Sequence, residues 1–301
     1  MRAVVGTIVQ NIRVRAHAKI NLYLDVVGKR QDGYHNLETI FHSIDLHDDV
    51  IIRKQDTKEI TVHCTHPAVP SDARNLAYRA AQCLNDAVGG IGGIAIDLHK
   101  RIPVAAGLAG GSADAAAVLH GVNALFGLGF TRETLMHFGA QLGADVPFCL
   151  HGGAAFGQGI GDQLTPLPAL PDLPLLLLNP GIEISTAAVF KKLNFSLTKP
   201  KKKDIIIRTY IEKGDVLGIG KNLYNLLEMP VFSQYPEIAA LKTELSTQAG
   251  CYGALMSGSG ATLFAVMHDT EAAHRSESHF KNKVRFCTTT VTSPVGVYIN
   301  D

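Results

Sequence analysis

The sequence predicts an α+β chain of two domains, and three observations carry that reading. At 301 residues the chain is about twice the length of a typical single domain. Its apolar residues fall into stretches of alternating, strand-like pattern and stretches of helical spacing, mixed along both halves. A Pro-rich segment, TPLPALPDLP at 165–174, then precedes the apolar run LLLL and places a boundary between about 155 and 175.

The elements follow in order. From Val4 to Val27 the alternation predicts one or two strands, with KINLYL (19–24) leading into a loop, GKRQDGYHN, whose Asp32-Gly33 is a turn pair. Segments 37–46, 49–54 and 58–64 read as further strands. Ser71 and Asp72 are placed to cap a helix carrying Ala73, Leu76, Ala77, Ala80, Ala81 and Leu84 at helical spacing and ending at Gly89-Gly90. Strand 93–99 follows; 107–126 runs from a glycine loop into an Ala-rich helix, and 131–142 is a helix begun at Thr131 and stopped by Gly143. Hairpin-like strands are expected at 148–157 and 162–167, with GQGIGD (157–162) as their turn. The second half reads as strand 174–179, helix 185–193, a solvated basic loop KPKKKD (199–204), helices 204–212, 221–228 and 236–249, strands 253–256 and 262–267, helix 270–280 and strand 284–291.

Composition narrows the function classes. Apolar residues make up 46% against 18% charged, and 28 Lys+Arg nearly cancel 27 Asp+Glu, which excludes a disordered chain and a general nucleic-acid or membrane-surface footprint. Five cysteines, odd in number, widely spaced and without C-x-x-C, fit neither a disulfide framework nor a zinc site, and the histidines show no H-x-x-x-H spacing. With a strand-like N-terminus in place of a secretory signal and no apolar window of spanning length, a cytoplasmic protein is expected.

Four local patterns carry chemistry. In PVAAGLAGGSADAAAVLHGVNAL (103–125), Gly107, Gly110 and Gly111 precede Ser112 and a run of helix formers. Such glycines let main-chain N–H groups approach a phosphate, and the helix N-terminus adds partial positive charge. The string is not a Walker A loop, since no Lys-Ser/Thr follows, and it lacks the Rossmann context; close packing by small residues is the alternative. LMSGSGATLFAV (255–266) places Ser257, Gly258, Ser259 and Gly260 between two strands, as an anion nest or a hairpin turn. In LGADVPFCL (142–150), Asp145 sits in an apolar stretch, either as a cap or as a functional carboxylate that needs a partner. Lys19, with Asn21, lies in an apolar strand and supplies the counter-charge that Asp145 needs. Beside these, Tyr34 and His35 follow a turn and present rings suited to a flat base.

Taken together, the glycine loop, the SGSG string and the Lys/Asp pair make the chain resemble the GHMP kinase superfamily of small-molecule kinases. The strings AKINLYL…GKRQDGYHNLETIF, PVAAGLAGGSADAAAVL, LGADVPF, GQGIGDQLTPLP, GIEISTAAVF and SGSGATLFAV, in this order from about residue 16 to 267, resemble its branch acting on a cytidine diphosphate methylerythritol in non-mevalonate isoprenoid biosynthesis. The resemblance implies a two-domain fold, with an N-terminal βαβ-type nucleotide-binding domain over 1–160 and a C-terminal ferredoxin-like α/β sandwich over 161–301. It implies ATP and Mg²⁺ as cofactors, a small-molecule substrate, and no nucleic-acid or membrane partner. By position it makes Lys19 and Asp145 catalytic. Pro103, Val104, Ala105, Ala106, Gly107, Leu108, Ala109, Gly110, Gly111, Ser112 and Ala113 become the ATP phosphate loop, with Asn75 on a helix approaching the nucleotide. Asn21 becomes a substrate contact, Tyr34 and His35 hold the cytosine, Phe190 covers its opposite face, and Thr186 lies nearby. The string NLLE (225–228) stands where many members of the family have an acidic residue after the asparagine. A sibling kinase for homoserine, mevalonate or a sugar would have no use for the Tyr34/His35/Phe190 clamp, and an idle nucleotide sensor none for both Lys19 and Asp145.

Overall fold

Two long strands, β1 (Asn11–Lys29) and β2 (His35–Gln55), form an antiparallel hairpin around the turn at Gly33 and run through the whole N-terminal half. The computed structural model describes residues 10–168, 170, 172–193 and 203–300; the expected strand start at Val4 and most of the KPKKKD loop lie outside the described residues. β3 (Ile60–Cys64), α1 (Leu76–Ala87) and β4 (Gly93–His99) make a βαβ unit, with β3 and β4 parallel and β4 antiparallel to β2. The remaining helices of this half are α2 (Gly110–Phe126), α3 (Arg132–Leu142) and α4 (Val146–His151). The hairpin β5 (Ala154–Gln158) and β6 (Gln163–Leu167) joins the other end of β2.

α2 is apolar nearly all round, with Ala113, Ala115, Ala116, Ala117, Val118, Leu119 and Val122 buried, as expected of a helix enclosed in a core. Gly121 lets it settle onto the hairpin: a Cβ there would stand 2.5 Å from Ile52 Cδ1 and 2.8 Å from Val14 Cγ2. This packing fixes the N-terminus of α2 over the middle of β1.

The second sheet comprises β7 (Pro174–Asn179), β9 (Cys251–Met256), β10 (Leu263–Met267) and β11 (Phe286–Val291), in the order β11-β7-β10-β9 with every pair antiparallel. Helices α5 (Thr186–Lys191), α6 (Lys203–Lys213), α7 (Val216–Lys221), α8 (Glu228–Gln234) and α9 (Pro236–Ser246) fall between β7 and β9, and α10 (Thr270–Phe280) falls between β10 and β11. The resulting β-α-β-β-α-β arrangement is ferredoxin-like. The LLLL run is continuous because β7 is covered on both faces: Leu175 and Leu177 join the core of the first half, while Leu176 and Leu178 face the core holding Ile238, Ala272 and Phe280.

Several expectations need correction. Residues 146–151 are a helix, not part of a strand, because Pro147 opens its first turn and a six-residue buried helix yields the same apolar run as a strand. The expected strands 37–46 and 49–54 are one strand, β2. The helix after Ser71 starts four residues later, capped by Asn75. The expected helix 221–228 is divided into the end of α7, the short strand β8 (Tyr224–Asn225) beside β1, and the start of α8, because the Asn225 side chain is drawn into bonds elsewhere. The sheets also cross the expected division at 160/161: β6 and a short C-terminal strand, β12 (Val297–Asn300), both hydrogen-bond into the first sheet, β12 against β1. Among the described residues no helix is long and apolar enough to cross a membrane.

Candidate active site

The site is built where β1, the loop before α2, the SGSG loop and the α3–α4 corner meet. β1 carries register irregularities between His17 and Lys19 and between Asn21 and Tyr23, which bend the strand and aim its side chains locally. Lys19 and Asn21, two residues apart, lie on one face, with Lys19 Nζ donating to Asn21 Oδ1 at 2.8 Å and to the Gly107 carbonyl at 3.2 Å. Lys19 Nζ is also 3.8 Å from Asp145 Oδ2. The lysine is 4% exposed while the Asp145 side chain is 34% exposed, so the ammonium is held by the protein and the carboxylate faces solvent or ligand. Asn21 in turn donates to Thr39 Oγ1 (2.8 Å), which donates to the Tyr23 carbonyl (2.7 Å), so the amide is oriented from behind.

Asp145 follows Gly143, the C-cap of α3, and occupies the N-cap position of α4 without a side-chain capping bond. Of the two sequence readings, the cap is therefore not realised, and the carboxylate faces Lys19 instead. Its neighbour Cys149 is buried, and burial pushes that thiol up, so it stays protonated beside the Asp145 carboxylate.

The two glycine clusters meet. Ser257 Oγ donates to the Gly107 carbonyl at 2.9 Å, and Thr262 N donates to the Ala106 carbonyl at 3.3 Å. Gly107 has φ +77, and a Cβ there would stand 2.2 Å from the Ser257 carbonyl oxygen, so glycine is required both by conformation and by contact. Ala105 (φ 52) and Ala109 (φ 58) also adopt the left-handed conformation, within the same loop. Ala109 is the N-cap of α2 and makes no side-chain capping bond, so the first-turn N–H groups of Gly110, Gly111 and Ser112 are left for an anion. Pro103, Val104, Leu108 and Ala113 hold the loop's flanks, with the Leu108 carbonyl accepting from Lys19 N at 3.2 Å. Asn75 engages both ends of its amide within the chain, accepting from Ala77 N (2.9 Å) and donating to the Pro70 carbonyl (2.7 Å). Its place is the start of α1.

At the far end of the hairpin, Asp32 accepts from Tyr34 N (3.0 Å) and from Arg30 Nε (3.0 Å), and the Tyr34 ring is left 62% exposed. The His35 ring stacks on Phe190, with centroids 5.1 Å apart and planes inclined by 20°. At that spacing two of the residues expected to hold the base are in direct contact with each other. Partial burial and Lys29 hold the His35 pKa below its ordinary value. Thr186 Oγ1 lies 2.8 Å from Ser259 Oγ, linking the start of α5 to the SGSG loop.

Two features escaped the sequence reading. Asn225 is buried, and its Nδ2 donates to the carbonyls of Met256 (2.7 Å) and Gly258 (2.8 Å) while its Oδ1 accepts from Leu227 N (2.9 Å), fixing the SGSG loop. The other is a buried ionic cluster beneath the glycine loop before α2, in which Lys100 bridges Asp48 and Asp114, the latter at 2.6 Å. Burial raises the Asp114 carboxyl. A charge within the otherwise small and apolar run ADAAAV was its available signal.

Together the fold and site define a small-molecule kinase of the GHMP type. Residues 75–153 match the family model for the GHMP kinases N terminal domain, and 207–284 that for GHMP kinases C terminal. The chain is 42% identical over 285 residues to the 4-diphosphocytidyl-2-C-methyl-D-erythritol kinase of Acetivibrio thermocellus, covering 94% of this chain and 99% of that one. It is 38% identical to the enzyme of the same name from Nostoc sp., covering 97% and 99%. A crystal structure of 4-(cytidine 5'-diphospho)-2C-methyl-D-erythritol kinase superimposes with a TM-score of 0.81 at 33% identity, over 93% of this chain and 99% of that one. Homoserine kinase from Cytophaga hutchinsonii, at 20% identity and a TM-score of 0.75 over 99% and 100%, shares the fold. The chain belongs to the 4-diphosphocytidyl-2-C-methyl-D-erythritol kinase family.

Proposed function

We infer that this chain transfers the γ-phosphoryl group of ATP to the 2-hydroxyl of 4-diphosphocytidyl-2-C-methyl-D-erythritol, giving the 2-phosphate and ADP, in non-mevalonate isoprenoid precursor biosynthesis. One observation carries the reading: Lys19 Nζ reaches both the Asp145 carboxylate (3.8 Å) and the Gly107 carbonyl of the phosphate loop (3.2 Å), so one cation links the acid–base group to the phosphate cradle.

The acceptor is a tertiary alcohol, crowded and weakly acidic, so holding it in line with the γ-phosphate is the main task. Asp145 accepts the hydroxyl proton as the oxygen–phosphorus bond forms and the bond to the ADP oxygen breaks. Lys19, facing that carboxylate at 3.8 Å, offsets charge on the transferring group. Asn21, oriented by Thr39, positions the acceptor, and the first turn of α2 binds the phosphates. The donors near the loop suit magnesium: the Ser112 hydroxyl, set against Gly143, and the Asp145 carboxylate are hard oxygens, with no thiolate or imidazole among them. When bound with ATP, Mg²⁺ supplies neutralisation of phosphate charge.

The cytosine stacks between Tyr34 and Phe190, with His35 and nearby main chain reading its edge, so the nucleotide tail is recognised and chemistry occurs at the other end. The test compares the cytidylylated substrate with free methylerythritol. Because stacking of one base contributes about 1–3 kcal/mol, and edge contacts add to it, kcat/KM falls by about 10²-fold for the free alcohol. Equal efficiency with both would refute the recognition scheme.

A further inference from the structure

Away from the catalytic site, on the β1–β2 hairpin, two imidazoles and a carboxylate converge. His17 and His47 are direct cross-strand partners, so their side chains project from the same face, and their ring centroids lie 5.2 Å apart. Asp45, two residues before His47 on β2, brings Oδ1 to 3.8 Å from His17 Nδ1. One ligand atom from each of the three residues lies within 4.8 Å of the others. We propose that His17, Asp45 and His47 form a binding site for one divalent transition-metal ion, with Zn²⁺ the best match to the donor set.

The donors decide the class of ion. Two imidazole nitrogens and one carboxylate oxygen suit zinc and its neighbours, whereas Mg²⁺ and Ca²⁺ require oxygen ligands, so this site is chemically separate from the magnesium of the ATP reaction. The His47 ring is already oriented by a main-chain carbonyl, Nδ1 donating to Asp45 O at 2.6 Å, the kind of outer hydrogen bond that orients an imidazole ligand and leaves Nε2 for the ion, whereas His17 Nδ1, the nitrogen that faces Asp45, exchanges its 3.0 Å bond to Ile44 O for the ion. Asp45 is 58% exposed, which gives an ion a route in, lets the carboxylate swing the small distance needed to close on it, and leaves room for water to complete the coordination.

The surroundings also contain a competitor. Arg101 places Nη1 3.1 Å from His47 Nε2 while its Nη2 pairs with Asp49 Oδ2 at 2.8 Å, and Arg15 adds further positive charge near His17. A metal ion displaces the Arg101–His47 bond and leaves the Arg101–Asp49 pair in place, so Arg101 weakens the site without abolishing it.

The experiment uses the full chain, stripped of metal by a chelator and titrated with Zn²⁺ by calorimetry and with Co²⁺ by absorption spectroscopy. Cobalt separates this site from adventitious binding at the five free cysteines, because nitrogen and oxygen ligands give ligand-field bands without a thiolate charge-transfer band. The expected result is one equivalent bound without that band, with affinity lowered about tenfold or more in His47→Ala and in Asp45→Ala, and raised severalfold in Arg101→Gln. Neither His47 nor Asp45 is buried, so both variants fold, and unchanged circular dichroism checks this. No saturable binding, a thiolate band, or affinity indifferent to His47→Ala and Asp45→Ala would each overturn the proposal.

Discussion

Replacing Asp145 by Asn separates chemistry from binding most cleanly. The substitution keeps the shape of the side chain and removes its charge and its capacity to take a proton. At 3.8 Å the Lys19–Asp145 attraction corresponds to a gross Coulomb energy of about 4 kcal/mol at an effective dielectric constant near 20, much of which is offset by desolvation. Folding is nevertheless largely preserved, because the buried Lys19 ammonium retains two acceptors, Asn21 Oδ1 at 2.8 Å and the Gly107 carbonyl at 3.2 Å. Asp145 itself caps nothing. The loss therefore falls on the transition state, where general-base catalysis contributes about 10²- to 10⁴-fold, or roughly 3–5 kcal/mol. The assay is steady-state ADP release with both substrates saturating, beside a nucleotide-binding titration and a thermal melt. kcat should fall about 10²-fold or more, with nucleotide affinity within about threefold of the parent. Turnover close to that of the parent would refute the base role, and collapse of nucleotide binding at intact turnover per bound ATP would reassign Asp145 to holding the nucleotide.

Three further outcomes follow from the same geometry. Gly107→Ala imposes a left-handed conformation on a residue with a Cβ 2.2 Å from the Ser257 carbonyl; it should destabilise by about 2 kcal/mol or more and raise KM for ATP, and an unchanged melt and KM would show that the two loops need not touch. Asn225→Ala leaves the Met256 and Gly258 carbonyls and Leu227 N without this partner; a loss of about 3 kcal/mol and reduced kcat are expected, and a melt within about 0.5 kcal/mol of the parent would deny its role as clasp. Burial lowers the His42 pKa to about 4, and the ring is bonded as a neutral imidazole to the Ser43 carbonyl (2.8 Å) and Leu170 N (3.2 Å). The unfolded chain therefore binds a proton that the folded chain refuses: the His42 contribution is complete above about pH 6.5 and is lost as pH falls towards 4, by about 3 kcal/mol in total. Chemical denaturation across that window should show a shallower pH slope in His42→Gln, and identical slopes would contradict the assignment.

Much of the architecture was legible because local and tertiary preferences agree. Helix 131–142 had its Thr131 cap and Gly143 stop, and strand 93–99 its alternation. The errors arose where tertiary structure decides. α4 is buried on all sides, so its apolar run carries no period. β12 has four residues and exists because β1 offers an edge. Asn225 ends a helical pattern because its amide is needed 31 residues away. At the site, Lys19, Asp145 and the two glycine clusters were legible as parts, but their meeting depends on the packing of α2 onto the β1–β2 hairpin, which no local string encodes. The Lys100 cluster was hidden for the same reason: Asp48, Lys100 and Asp114 come from a strand, a loop and a helix.

The most direct test of the account is ADP release with Mg-ATP and 4-diphosphocytidyl-2-C-methyl-D-erythritol, run beside homoserine, mevalonate and galactose at matched concentrations. Turnover confined to the cytidine substrate is the predicted result. Turnover on one of the other acceptors would leave the fold and phosphate loop standing but contradict the cytosine clamp. No turnover on any of them, with ATP still bound, would contradict the catalytic role of Lys19 and Asp145.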